Sequence, residues 1–267
     1  MNTRSNTAAK EIADAGSIER TLELLRLLAT AGRYGLALTQ ISESSRLPHS
    51  TVHRLLRRLI GERMVVQRET NKRYVLGPLA FELGLAASQI YDLRLPCRPI
   101  LTQLAEEIGD TVYLTARSGN ECVCEDRYEG PSTIRVIALE VGSRRPLGLG
   151  AGGLAILSAL QEDEREQAID YLTHRYGTYK SLQEKALRKA VESCRRHGFS
   201  VIHSQVTLGT TAVGVAILDT LGNPIAAVSV AAVDSRMSEG RITSLSRQLK
   251  NATNRIKEAL HNFPTLY

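Results

Sequence analysis

The sequence predicts an α+β chain in two parts: three helices closed by a short hairpin, then helices arranged around an antiparallel sheet. Three observations carry that expectation. Through the first 60 residues, apolar side chains recur at three- and four-residue spacing, the period of a helix. Beyond residue 110 they gather in short runs separated by turn signals, the pattern of strands. The charge is divided as sharply. The 267 residues hold 34 Lys plus Arg against 28 Asp plus Glu, a formal net charge of +6. Arg46 to Arg73 alone carries eight basic residues (46, 54, 57, 58, 63, 68, 72 and 73) against Glu62 and Glu69, whereas residues 86–267 hold 21 basic and 20 acidic.

Composition removes several classes. Hydrophobic residues make up 43 % and charged residues 23 %, a balance that supports folded cores and excludes the disordered class. No apolar run approaches the roughly 18 residues that a spanning helix needs. The richest stretch, Thr210 to Val233, is broken by Asp219, Asn223 and Pro224. Residues 1–15 are polar, lack the apolar core of a secretory signal, and read as a flexible tail. A cytoplasmic protein with no membrane partner is the expectation.

The first helix begins at Ser17, a candidate cap, with Ile18, Leu22, Leu25 and Leu28 expected on its inner face; Gly32 and Gly35 end it. A short helix spans Thr39 to Ser45, with Thr39 as its cap and Leu38 and Ile41 inward. Arg46-Leu47-Pro48 is a tight break, the proline suited to the first turn of a third helix. That helix carries Val52, Leu55, Leu56, Leu59 and Ile60 on one stripe. Ser50, His53, Arg54 and Arg57 repeat the same spacing two positions away, about 200° around. Met64-Val65-Val66 and Arg73-Tyr74-Val75-Leu76 then form two short strands about a polar turn.

Helix, short helix, tight turn, helix and hairpin is the layout of a winged helix-turn-helix, whose second motif helix enters the major groove of double-stranded DNA. The base-facing candidates are His49, Ser50, Thr51, His53 and Arg54: hydroxyls and imidazoles donate or accept at base edges, and arginine pairs bidentately with guanine. Arg57 and Arg58, a turn later, suit phosphates. Arg68, Lys72 and Arg73 would let the wing reach backbone or minor groove. A solvated charged helix face is the plainer reading of the same residues. RNA and single strands fit less well, because such modules stack bases on aromatic platforms and this chain has no Trp.

The second part begins with a helix over Leu79 to Tyr91, followed by a boundary marked by Pro96 and Pro99 and a helix over Ile100 to Ile108. Strands are predicted at Thr111–Ala116 and Glu121–Glu125, turning at Gly119-Asn120, and at Thr133–Leu139. Helices follow at Leu154–Leu160, Arg165–His174 and Leu182–His197, then strands at Ala212–Leu218 and Ile225–Val233 and a final helix over Ile242–Leu260. Gly148-Leu149-Gly150-Ala151-Gly152-Gly153 matches the dinucleotide fingerprint, but that motif needs a preceding strand and a βαβ unit. Ser143-Arg144-Arg145-Pro146-Leu147 is basic and proline-interrupted, and Asp170 falls in a predicted helix, so a nucleotide cofactor is not expected. A glycine turn opening a helix still suits an anion, or serves only as a close-packed turn.

Cys122 and Cys124 alternate on one strand and so share a face, but no partner His or Cys completes a metal site. With Cys97 and Cys194 they read as buried reduced thiols. No nucleophile, base and orienting acid can be assembled, so no catalytic residue, cofactor or metal is assigned. The remaining enzymatic alternative is a small-molecule enzyme with an accessory DNA-binding domain.

Ser17-Ile18-Glu19-Arg20 with Leu22-Glu23-Leu24-Leu25, then Leu47-Pro48-His49-Ser50-Thr51-Val52-His53-Arg54-Leu55-Leu56 and Tyr74-Val75-Leu76-Gly77, resembles the IclR-type bacterial transcriptional regulators from about Gly16 almost to the C-terminus. The resemblance implies a winged helix-turn-helix domain over 16–78, a linker helix over 79–95 and a GAF-like effector-binding domain over 96–267. It implies a homodimer on a palindromic operator, dimers pairing into tetramers, and leaves contact with RNA polymerase open. It also implies an effector pocket built from Ala151 and Gly152, with Ile202, His203, Ala212, Ser229 and Ala231 on three strands. Val201 to Gln205 holds no carboxylate where relatives often have one. The pocket is therefore expected to be less acidic than usual and to take an organic carboxylate with an apolar, even aromatic, body.

Overall fold

The computed structural model describes residues 16–133, 136–205 and 207–261, so the expected tail over 1–15 lies outside the described residues. The chain divides into two compact units, residues 1–90 and 91–267.

In the first unit, α1 (Ser17–Ala31) follows Gly16, so Ser17 is its first residue and not its cap. Its buried side chains are Leu24 and Leu28; Ile18 and Leu22, expected inward, are exposed because the first turns of α1 carry no fully buried side chain. Gly35 ends the segment at φ +64, where a Cβ would stand 2.5 Å from the Tyr74 carbonyl oxygen, a place only glycine fits. Helix α2 (Leu38–Ser45) is capped at Ala37 and not at Thr39: the Ala37 N–H donates to Gln40 Oε1 at 3.0 Å. The break after it is pinned by side chains. Ser42 Oγ donates to the Leu47 carbonyl at 2.6 Å, with Arg46 left-handed at φ +55.

Pro48 then stands at the N-cap of α3 (His49–Gly61). Val52, Leu55, Leu56 and Leu59 of α3 are buried against Leu24, Leu28 and Ile41. Ile60 lies about a quarter turn round from Val52 and, contrary to expectation, is exposed. Strands β1 (Val65–Gln67) and β2 (Tyr74–Leu76) pair antiparallel, and Leu36 bridges to Tyr74. Helix α4 (Pro78–Tyr91) completes the unit.

The second unit opens with α5 (Arg94–Ile108), which contains Pro96 and Pro99 instead of starting after them. Pro96 falls in the first turn, where no intrahelical N–H is required. A six-stranded antiparallel sheet runs in the order β5-β4-β3-β8-β7-β6. Its strands are β3 (Thr111–Ser118), β4 (Glu121–Tyr128), β5 (Arg144–Pro146), β6 (Ser200–His203), β7 (Thr210–Leu218) and β8 (Pro224–Val233). Of the strand expected over 133–139, the described residues 133 and 136–139 are irregular, and 134–135 lie outside the described residues. The edge strand β5 was not anticipated.

Strand alternation sends Val112, Leu114, Val213, Val228 and Val230 to one face, where α5 and α9 (Glu239–His261) cover them. On the other face lie α6 (Ala151–Ala159), α7 (Glu162–Tyr176) and α8 (Glu184–His197), around Leu154, Ile169 and Leu187. Helix α6 packs close to the sheet because it starts with small residues: a Cβ on Gly152 would lie 2.5 Å from Thr115 Oγ1.

Candidate functional site

Two places bring the sequence-predicted residues together, one in each unit. On α3, Ser50, Arg54 and Arg57 stand opposite the buried stripe, with His53 and Arg58 beside them, and all five are exposed. His49 is exposed at the helix start and Thr51 is half-buried. Among the described residues no carboxylate pairs with Arg54, Arg57, Arg58, Arg68 or Lys72, whereas Arg63 is engaged with Glu82 at 3.0 Å. The hairpin holds Arg68 and Lys72 on its exposed turn through the Arg68 N–H donating to the Arg73 carbonyl at 2.9 Å. Arg73 is different. Its Nη1 donates to the Gly35 carbonyl at 2.9 Å, fastening the wing to the end of α1, so the structure gives it a positioning task.

The second place is a cavity on the α6 side of the sheet. The cross-strand register aligns Ile202 with Ala212 and Ala212 with Ala231; one pair further along, Ser229 faces Tyr113. Period-2 alternation puts Tyr113, Thr115, Ser229, Ala231, Ala212 and Ile202 on one face, and all six line the cavity. Gly150 to Gly153, at the start of α6, close one side. Buried Ser200 holds that start in place by donating to the Ala151 carbonyl at 2.6 Å. The free volume is about 50 Å³, room for roughly four waters.

Six of the seven expected pocket residues therefore meet here; His203 does not. It follows Ile202 on a strand, so it points to the opposite side, where its Nδ1 meets Thr211 Oγ1 at 2.9 Å and Thr211 donates to Asp234 at 2.6 Å. The residue that sequence reasoning passed over is Arg145. Strand β5 turns Arg144 outward to Glu121 at 3.0 Å and Arg145 inward to the cavity. Consecutive arginines on a strand must face opposite ways, and that was the available signal.

Arg145 is the one charged side chain in the cavity lining, and no described carboxylate pairs with it. Burial pulls its guanidinium below the ordinary arginine range, and the titratable groups that act on it are thiols and phenols, Cys122 and Tyr113 most strongly. Burial pushes the Cys122 and Cys124 thiols up to about 12, so both are neutral at neutral pH and poor nucleophiles. All four cysteines are buried and free, and among the described residues no three metal-ligating side chains cluster.

The glycine turn has a preceding strand after all, since β5 ends at Pro146. The dinucleotide reading fails on topology instead, because every pairing in the sheet is antiparallel and the described residues form no βαβ unit. A larger groove, about 500 Å³, lies between α6, α8, β7 and α9 beside Lys250 and Lys257, and holds none of the expected residues. Among the described residues no helix is long and apolar enough to cross a membrane.

A winged helix-turn-helix with an unpaired basic face, in one chain with a sheet unit holding a small cavity, defines a class: DNA-binding transcriptional regulators with a second, ligand-binding type of domain. Residues 17–69 match the IclR helix-turn-helix domain and residues 86–258 match the bacterial transcriptional regulator IclR C-terminal domain. The chain belongs to the IclR family of bacterial transcriptional regulators. It is 28 % identical over 247 residues to the transcriptional repressor IclR of Escherichia coli, covering 90 % of this chain and 88 % of that one. It shares its fold with an IclR transcriptional regulator of Silicibacter sp. TM1040 (TM-score 0.76, 22 % identity, covering 91 % and 95 % of the two chains). The same holds for an IclR homolog of Microbacterium hydrocarbonoxydans complexed with 4-hydroxybenzoate (TM-score 0.68, 20 % identity, 92 % and 100 % covered).

Proposed function

We propose that this regulator binds a palindromic operator as a dimer through α3, and that a small organic monoacid in the sheet cavity changes its affinity for that operator. Ser50, His53 and Arg54 read base edges, with His49 and Thr51 at the helix start; Arg57, Arg58, Arg68 and Lys72 take phosphates. One module offers few base contacts, so two-fold repetition is needed for specificity. Helix α4 supplies the linker and dimer element, for which its exposed Phe81 and Leu83 are suited.

The observation that carries the effector reading is the single guanidinium, without a described carboxylate partner, in an otherwise uncharged cavity. One half-buried positive charge matches one negative charge; a dianion would bring a second charge into a low-dielectric site with no second cation to meet it. The apolar remainder suits a hydrocarbon or ring body, and the 4-hydroxybenzoate held by the Microbacterium relative is an acid of that kind. Genome-wide mapping of binding sites, followed by titration of the operator complex with acetate, glyoxylate, benzoate and 4-hydroxybenzoate, tests both halves. A palindromic site and an acid-dependent change in operator affinity are expected. DNA binding without sequence preference would overturn the first half, and indifference to every acid the second.

A further inference from the structure

Residues 136–139 run as an irregular strap along the cavity, and two side chains from its wall hold them. Tyr113 works in both directions: its hydroxyl donates to the Val136 carbonyl at 2.6 Å and accepts from the Ala138 N–H at 3.0 Å. Arg145 Nη2 donates to the Ala138 carbonyl from the other side. Ala138 and Leu139 are themselves part of the cavity lining, as are Tyr113 and Arg145. The strap and the cavity thus share one cation. A neutral carbonyl is a weaker partner for a half-buried guanidinium than a carboxylate, which carries a full opposite charge and can take two of its N–H groups at once.

We infer that Arg145 is a ligand-operated latch: the anionic group of the effector takes its guanidinium from the Ala138 carbonyl and thereby loosens the strap over 136–139. This deepens the effector reading given above and rests on it. Size acts in the same direction as charge. The free volume of about 50 Å³ is well below that of pockets that hold ring-bearing ligands, so such an acid needs part of the wall to yield, and 136–139 is a stretch of it outside any helix or strand. A bidentate carboxylate draws Nη2 toward itself and away from Ala138, so ligand binding and strap release are linked by a differential interaction, as a population shift requires. The neutral amide of the same acid has the same shape and no claim on Arg145.

The test compares benzoate, 4-hydroxybenzoate and acetate with benzamide, 4-hydroxybenzamide and acetamide on the full chain. Calorimetry gives affinity, and amide hydrogen exchange at Ala138 reports the strap. For the wild type, the acids are expected to bind about tenfold or more tighter than their amides and to speed exchange at Ala138. Arg145→Gln is expected to erase the acid-over-amide preference and to show fast exchange at Ala138 without any ligand, with operator binding at low salt confirming that the variant is folded. Tyr113→Phe loosens the strap while keeping the cation: exchange rises and the preference for acids stays. Acids that bind equally well to Arg145→Gln, or that leave exchange at Ala138 unchanged or slower, overturn the latch and leave the effector reading standing. Failure of every acid to bind the wild type overturns both.

Discussion

In residues 1–90 the groups suited to DNA stand on the outside of one helix of thirteen residues. In residues 91–267 the groups suited to a ligand come from all six strands of the sheet, the first turn of α6 and an irregular strap. The basic face needs only that α3 be helical and that its other side be buried. The cavity needs the register of the whole sheet, since Ile202 reaches Ala231 only through Ala212. Charge is used differently as well. The DNA face carries many exposed cations, each screened by water and salt. The cavity holds one half-buried cation, and its surroundings give it no substitute.

That contrast is broken most directly on α3. Arg54→Ala is expected to remove operator specificity, a loss of about 1–3 kcal/mol of base discrimination and hence about tenfold to a hundredfold in the specific-to-nonspecific ratio. Arg57→Ala should weaken all sequences alike and reduce the log–log salt slope by about one. Fluorescence anisotropy against operator and scrambled duplexes over a salt series checks both. Equal loss on both duplexes from Arg54→Ala would mean that it is one more phosphate contact, and unchanged affinity in both variants would remove α3 from the interface.

In the sheet unit the counterpart is Gly152→Val. Its Cβ would lie 2.5 Å from Thr115 Oγ1 and 3.6 Å from Ser229 Oγ, both on the cavity wall. The Thr115 Cβ lies 3.5 Å away, so rotating its hydroxyl brings the methyl group close instead. Overpacking of this kind costs about 1–3 kcal/mol. Thermal unfolding should register that loss, calorimetry should show no acid binding, and operator affinity without acid should stay within about twofold. A full loss of operator binding would show that the two functions are not separable at this position.

The same contrast explains what the residues disclosed in advance. A helix writes its faces into the sequence locally, so the basic face of α3 was legible from Ser50, His53, Arg54 and Arg57 alone. The cavity is non-local, and the family resemblance supplied Ala151, Gly152, Ala212, Ser229 and Ala231 where spacing did not. Where local reasoning applied to the sheet, it was used incompletely. Ile202 and His203 are adjacent on a strand and cannot both face one cavity, and period-2 alternation is as available for that pair as for Arg144 and Arg145. The helix ends were harder. Gly16 and Ala37 take the cap positions from Ser17 and Thr39: neither start has a hydroxyl cap, and the Ala37 N–H is met by Gln40 Oε1 from within α2.

Alkaline pH separates the units with a smaller effect. All four cysteines lie in residues 91–267, with Cys97, Cys122 and Cys124 pushed by burial up to about 12 from an ordinary value of 9.0. These thiols stay protonated in the folded chain while the unfolded chain releases their protons. The stabilisation is therefore complete below about pH 9 and is lost as pH rises from there toward 12. Among the described residues of the first unit, Tyr74 is raised, also by burial. Denaturation followed from pH 8 to 11 should show the sheet unit weakening first, and the replacement Cys122→Ala should flatten part of the slope. A transition that weakens in residues 16–90 at lower pH than in the sheet unit would contradict this.

The smallest effect distinguishes two arginines five residues apart on the wing. Arg68 is exposed and, like Lys72, has no described carboxylate partner; Arg73 donates to the Gly35 carbonyl at 2.9 Å. Gly35 cannot be moved to compensate, because its left-handed φ and its approach to the Tyr74 carbonyl fix the end of α1. Arg73→Gln should therefore cost about 1 kcal/mol of stability, the usual worth of a hydrogen bond that water partly replaces. Its effect on DNA should come mainly through a looser wing, with the salt slope nearly unchanged. Arg68→Gln should leave the melting temperature alone and lower the salt slope by up to one. If the two variants exchange these signatures, Arg73 meets phosphate and its bond to Gly35 is incidental. If they keep them, the wing contains one arginine for its shape and one for the nucleic acid.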